Sequence, residues 1–305
     1  MEPVIADWII SLEGTSAGHR VALILALIAA LLHAIFGALQ KGRHDPFLVR
    51  GIIDVWLIIL ALPMAVFLVP WPQGNQWLIL LGAMGIHFVY KLGQAMAYTR
   101  GDYTVVYPVV RGTGPLFTVI GAYLIFGETF NLTQWLGVAV LLSGIFGLAA
   151  YNLRHIEVGR ETLVPALWFA VGTGAMVAVY TTYDAYGIRA TPNPFTFLAW
   201  FFVVTSLDFP LIALWRYRHM PDPPPITGLI TKGFFGALVA FGSFGSVMLA
   251  TRLDKVGEAA VLRETSTVFA AAIGVLFLKE TVGPRRLFLM GLIAAGAVIV
   301  EAAGS

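Results

Sequence analysis

The chain has 305 residues, of which 58% are hydrophobic and only 12% charged, with a formal net charge of +2 and no cysteine. A soluble domain carries about 25% charged residues, so this composition excludes an ordinary water-soluble fold and puts much of the surface against lipid. The charge balance is too small to argue for nucleic acid, and without cysteine there is no disulfide, no thiolate metal site and no cysteine nucleophile.

Residues 1–19 contain Glu2, Asp7 and Glu13 and lack a basic leader, so they read as a short tail or interfacial segment rather than a signal peptide. Trp8 and Ile9-Ile10 would touch the headgroups. A spanning helix needs roughly 20 mostly apolar residues. Runs of that kind predict helices over 20–41, 46–69, 76–99, 103–126 and 131–152, then over 162–188, 194–216, 228–252, 256–278 and 284–303. Turn chemistry separates them, as in Pro70-Trp-Pro-Gln-Gly74, Pro192-Asn-Pro194 and Pro221-Asp-Pro-Pro-Pro225. Glycine pairs such as Gly82-x-x-Gly85, Gly144-x-x-Gly147 and Gly242-x-x-Gly245 predict close helix packing. No loop is long enough for a second domain. The expected class is an all-α integral membrane protein of ten transmembrane helices, multi-pass in the cell (inner) membrane.

Shifting the sequence by 152 residues aligns one stretch without a gap. Thr99, Arg100, Asp102, Arg111, Thr113, Glu128 and Thr129 fall on Thr251, Arg252, Asp254, Arg263, Thr265, Glu280 and Thr281. Polar identities inside apolar helices are informative, because leucine meets leucine by chance. Five helices per half put the second half upside down relative to the first, giving two inverted five-helix repeats over 20–152 and 162–303. Inverted repeats are an architecture of secondary transporters, with a site near the midplane where the halves meet.

Gly114-Pro115 leads to the turn Phe126-Gly127-Glu128-Thr129, and Ser266-Thr267 leads to Leu278-Lys279-Glu280-Thr281. On these segments the chain resembles the drug/metabolite transporter superfamily, in its ten-helix EamA-like branch. The second copy departs from the pattern, with threonine for proline and lysine for glycine. The resemblance implies a carrier of small metabolites and leaves the substrate open. Glu128 and Glu280 are expected to be structural carboxylates at helix ends.

An ionisable side chain at the centre of a spanning helix costs at least about 2.5–3.5 kcal/mol, so by default it faces a cavity or a partner. Arg111 and its repeat mate Arg263 are such groups, and family members tend to be apolar there. Two guanidiniums suit a carboxylate or phosphate, since the planar fork donates two parallel hydrogen bonds. The bland alternative pairs them with Glu264 or Asp54. Lys91 shares a helix face with His87 and Gln94, flanked by Tyr90 and Tyr98, while the mate face carries Ser243 and Ser246. Glu264 and Asp54 are candidates for proton coupling, with Asp208 a weaker one. In the resembled fold, His33, Gln40, Tyr180, Tyr183 and Asp184 would help wall the cavity.

The expected partners are therefore a small anionic or zwitterionic metabolite, the bilayer, and protons or a counter-substrate. No cofactor is expected. An exporter of amino acids, amines or drugs, with the arginines in internal ion pairs, is the alternative. An intramembrane lipid-phosphate enzyme is remote, because neither a His-Glu-x-x-His nor a Gly-x-Ser-x-Gly pattern occurs. One set of alternating loops holds Lys41, Arg43, Arg100, Arg154, Arg160, Arg216, Arg218, Lys232, Lys279, Arg285 and Arg286; the other holds Arg20, Arg189, Arg252 and Lys255. Cytoplasmic loops are rich in Lys and Arg, so the count places both termini outside, whereas the family resemblance places them inside.

Overall fold

The computed structural model describes residues 3–40, 45–100, 103–154, 160–276 and 283–304. Among these, thirteen helices follow in order: α1 (Pro3–Leu12), α2 (Ser16–Gln40), α3 (Pro46–Phe67), α4 (Gln76–Arg100), α5 (Tyr103–Phe126), α6 (Leu132–Arg154), α7 (Arg160–Ala190), α8 (Pro194–Thr205), α9 (Phe209–Arg218), α10 (Ile226–Leu253), α11 (Val256–Arg263), α12 (Ser266–Leu276) and α13 (Pro284–Gly304). Eight segments of the described residues are long and apolar enough to cross a membrane. The other two expected spans fall on α7, whose later half carries Tyr180, Thr181, Thr182, Tyr183 and Asp184, and on the interrupted pair α11 and α12.

Helix starts follow the turn chemistry. Asp45 precedes Pro46 and accepts the backbone N–H groups of Phe47 and Leu48. Asn193 precedes Pro194 and does the same for Phe195 and Thr196. Each thereby satisfies donors that the first turn leaves unpaired, with proline where an N–H is not needed. At the end of α5, Gly127 takes φ +67°, and the N–H of Glu128 bonds to Ala122 O. This left-handed closure favours glycine.

Two helices expected to run unbroken, 194–216 and 256–278, are each interrupted. Ser206 and Leu207 separate α8 from α9, with Asp208 capping Phe209 N–H ahead of Pro210. Glu264 and Thr265 separate α11 from α12. Thr205 and Ser206 at the first break and Glu264 at the second are buried, and lipid supplies no hydrogen bonds, so carbonyls freed there need protein partners.

The packing contacts come in matched pairs. α2 packs on α10 as α7 packs on α4; α5 on α7 as α12 on α2; α3 on α10 as α8 on α4; α5 on α6 as α12 on α13. α6 meets α13, α3 meets α8 and α9, and α5 meets α11. Glycine permits the closest of these. A Cβ on Gly296 would lie 2.5 Å from Gly137 O, so α13 and α6 touch backbone to backbone.

α8 is buried on almost every face and anchors the main core, with Phe197, Phe201 and Phe202 against Ile53, Leu57 and Ala237. Side-chain bonds define two ends of the bundle. At one, the start of α2, the end of α13 and the α5–α6, α7–α8 and α10–α11 turns meet. At the other, Arg216 at the end of α9 pairs with Asp45 at the start of α3, at 2.7 Å.

Candidate substrate site

α7 and α4 build one wall. Tyr180 and Asp184 are one turn apart on α7, and His87 and Tyr90 face them from α4. His87 Nε2 lies 2.8 Å from Asp184 Oδ2. The Tyr180 ring centroid sits 4.7 Å from that of His87 and 4.7 Å from that of Tyr90. Gln94 donates to the Tyr90 hydroxyl at 2.8 Å. All but Gln94 are buried or nearly so.

Beside this wall is a small cavity lined by Tyr180, Thr181, Asp184, Phe244, Val247, Thr251 and Arg263. Its volume is about 10 Å³, the room of a single water. Arg263 is 3% exposed. Among the described residues its guanidinium makes no hydrogen bond and no ion pair, and its Nε is buried without a partner. Thr181 Oγ1 and Asp184 Oδ1 are likewise buried without partners. Arg263 and Asp184 thus line one cavity with no N···O contact within 4.0 Å between them.

Arg111 is held differently. Its Nε lies 2.9 Å from Glu264 Oε2. Its Nη2 donates to Ser266 Oγ at 3.0 Å and to Arg263 O at 3.2 Å, and Nη1 is 3.4 Å from His33 Nε2. The two arginines therefore meet, but through the backbone of one. Arg111 spans the α11–α12 break and uses the carbonyl freed there.

Lys91, expected in the substrate site, points to the other break. Its ammonium donates to Asp54 Oδ2 at 2.9 Å, Thr205 O at 2.6 Å and Asp208 Oδ1 at 2.5 Å. Arg50 completes the group with a 2.9 Å contact to Asp54. An ammonium has three donors, and all three are used, so Lys91 has none to offer a ligand in this arrangement. Asp54 and Glu264, expected as coupling carboxylates, are both ion-paired. Ser243 ties α10 to α2 by donating to Ala29 O at 2.9 Å. The carboxylate with an open oxygen on the cavity is Asp184. Its neighbour Thr181 escaped sequence reading, because a threonine in a helix commonly bonds back to its own turn, as Thr182 does to Ala178 O.

The end that holds both termini is closed by two arginines in a reciprocal clasp. Arg189 of α7 donates to Thr251 O at 2.8 Å and Asp254 O at 2.7 Å. Arg252 of α10 donates to Thr191 O at 2.7 Å and to Ile188 O. Glu13 pairs with Arg252 at 2.6 Å. Glu128 accepts the N–H groups of Val256 and Gly257 at the start of α11 and faces Arg189. It is the helix-end carboxylate that the sequence suggests; Glu280 lies outside the described residues, as do Lys41 and Arg43. Burial works against the charge of Lys255, yet Glu258, Asp254 and Glu128 outweigh it and hold its ammonium above the usual pKa.

The model of the EamA-like transporter family matches residues 20–150 and again 164–302. Over 69 residues the chain is 42% identical to the uncharacterised protein y4nH of Sinorhizobium fredii, covering 23% of this chain and 59% of that protein. It is 23% identical over 211 residues to the uncharacterised transporter sll1319 of Synechocystis, 68% of this chain and 62% of that protein. The chain thus covers less than two thirds of the length of either relative. A crystal structure at 16% identity superposes with a TM-score of 0.76 over 95% of this chain and 98% of its own, a likeness of fold alone. With a family match on each half, the chain belongs to the EamA-like transporter family and is a multi-pass membrane protein.

Proposed function

We propose that the chain is a secondary active transporter of a small zwitterionic or anionic organic metabolite, carried by alternating access across the cell (inner) membrane. The observation that carries the reading is Arg263. A guanidinium buried without a direct ion pair is strongly disfavoured, and among the described residues Arg263 has none, although it shares its cavity with the open oxygens of Asp184 and Thr181. A cation and an anion this close in a poorly solvated space attract each other strongly, yet they do not touch. A ligand with an anionic end for Arg263 and a cationic or hydroxylic end for Asp184 and Thr181 would complete both. The cavity as it stands is too small for such a ligand, so binding requires the walls to part.

The ten-crossing, inverted-repeat arrangement belongs to the same reading. The paired packing contacts support it, as does the bond from Arg111 to the carbonyl of its own repeat mate. A residue that touches its mate lies near the pseudo-two-fold axis, which is where such carriers bind. In that frame α11 and α12 are two halves of one span, and their break brings backbone polar groups to the site. Arg111, Glu264 and His33 then support the site from behind, while His87, Tyr90 and Gln94 orient Asp184 and Tyr180.

Binding of anionic, zwitterionic and cationic metabolites to purified native protein and to Arg263→Gln tests the proposal. A ligand of the folded state raises the melting temperature in a concentration-dependent way. The native protein is expected to respond to a carboxylate-bearing compound and Arg263→Gln to lose that response. A native response to cations alone, or an unchanged carboxylate response in Arg263→Gln, would overturn the anion site and favour an amine exporter.

A further inference from the structure

Outside the cavity, at the end closed by the clasp, a second polar cluster draws on five parts of the chain. His19 of α2, Asp254 of the α10–α11 turn and Glu258 of α11 each offer one ligand atom, and those atoms all lie within 4.8 Å of one another. His19 Nδ1 faces Asp254 Oδ2.

The remaining polar atom of each residue is engaged elsewhere. His19 Nε2 lies 3.1 Å from Glu301 of α13. Asp254 Oδ1 accepts the backbone N–H of Lys255 at 2.7 Å. Glu258 Oε1 accepts Gln134 Nε2 of α6 at 2.8 Å. That leaves Glu258 Oε2, which has no hydrogen-bond partner although the side chain is only 3% exposed. A metal-binding histidine commonly donates its second ring N–H to a carboxylate, and ligating carboxylates are themselves hydrogen-bonded. The cluster has that form: three convergent ligand atoms and a surrounding set that fixes each one.

We propose that His19, Asp254 and Glu258 form a binding site for a divalent first-row metal ion. One nitrogen and two carboxylate oxygens suit Zn²⁺ or Mn²⁺, whereas Mg²⁺ and Ca²⁺ favour oxygen alone. His19 and Asp254 are about a quarter exposed at the side chain, which gives an ion a way in. Lys255 reaches Glu258 Oε1 at 2.8 Å on a side chain that is 37% exposed. It supplies the counter-charge without the metal and competes with the ion for the same carboxylate. An ion here joins α2 of the first half to α11 of the second, beside the clasp.

The test is calorimetric titration of the purified full chain, with any affinity tag removed, using ZnCl₂ and MnCl₂, with CaCl₂ and MgCl₂ for comparison. One Zn²⁺ or Mn²⁺ ion per chain is expected, with a concentration-dependent rise in melting temperature. Glu258→Gln and His19→Ala should abolish binding, and Gln134→Ala should weaken it by about 10–100-fold. Lys255→Met should tighten it, because the competing ammonium is gone. Absence of saturable binding, or binding unchanged in His19→Ala, would overturn the site. If Glu258→Gln does not fold, Lys255→Met still decides: affinity no higher than native would overturn the proposal.

Discussion

Lys91 and Arg263 are both buried cations in apolar helices, and their surroundings assign them opposite tasks. Lys91 has three acceptors from protein, two of them carboxylates. Removing one partner of a buried ion group leaves uncompensated charge and costs about 3–5 kcal/mol. Lys91→Met should therefore lower the melting temperature sharply, because Asp54 and Asp208 lose their shared ammonium. Among the described residues the Arg263 guanidinium makes no hydrogen bond and no direct ion pair, so Arg263→Met should destabilise far less than Lys91→Met while abolishing ligand binding. Equal destabilisation by the two variants, read by thermal unfolding, would mean that Arg263 has a structural partner after all. Sequence alone marks both residues, since a charge in a spanning helix must face something. It does not show what each faces. The partners come from other helices, Asp208 from far along the chain for Lys91 and Glu264 for Arg111. Asp184 gains its importance only because Arg263 lies across a cavity from it.

At the scale of helices, the two breaks are the largest departure from the sequence reading, and each had a local sign. Asp208-Phe-Pro210 carries a capping residue and a proline inside an otherwise apolar run, and Glu264-Thr-Ser266 is a polar triplet in another. Span length hides both, because each broken run is still long enough to cross a bilayer. Lipid supplies no hydrogen bonds to freed backbone groups. Lys91 takes Thr205 O at one break, and Arg111 takes Arg263 O at the other. The clasp shows the same economy at the bundle's end, with four arginine bonds to backbone carbonyls holding α7 against α10. The double variant Arg189→Ala and Arg252→Ala should loosen this end while the core around α8 persists. The chain has no cysteine, so a single Thr251→Cys reports access without background. Thr251 is 2% exposed, so its cysteine should react slowly with a polar thiol reagent in the otherwise native chain. In the double variant it should react severalfold faster, as expected when a local opening becomes more populated. An unchanged rate would mean that the clasp does not close this end.

Taken as a whole, the molecule has two unlike ends, and charge assigns each to a side of the membrane. The start of α2 and the end of α13 meet through His19 and Glu301, so both termini lie at the clasp end. Of the cations there, Arg189 and Arg252 are engaged by backbone carbonyls and by Glu128 and Glu13, Lys255 is paired with Glu258, and Arg20 is exposed. The opposite end holds the exposed or half-exposed Arg216, Arg218, Arg285 and Arg286. Retention of Lys and Arg on the cytoplasmic side then places the clasp end, with both termini, outside, against what the family resemblance implies. Two exposed turn positions decide between them: Asn75, in the α3–α4 turn at the clasp end, and Asp222, between α9 and α10 at the other. The α3–α4 turn is fixed at the clasp end because Thr196, next to the α7–α8 turn, donates to Pro70 O at 3.1 Å. In intact cells, a membrane-impermeant maleimide should label Asn75→Cys and spare Asp222→Cys until the membrane is broken. The reverse pattern would place the clasp and both termini in the cytoplasm, and the metal-binding cluster beside the clasp would then meet the cytosolic metal pool rather than the outer one. Labelling of both positions in intact cells would contradict the odd number of crossings, five in the proposed arrangement, that separates Asn75 from Asp222.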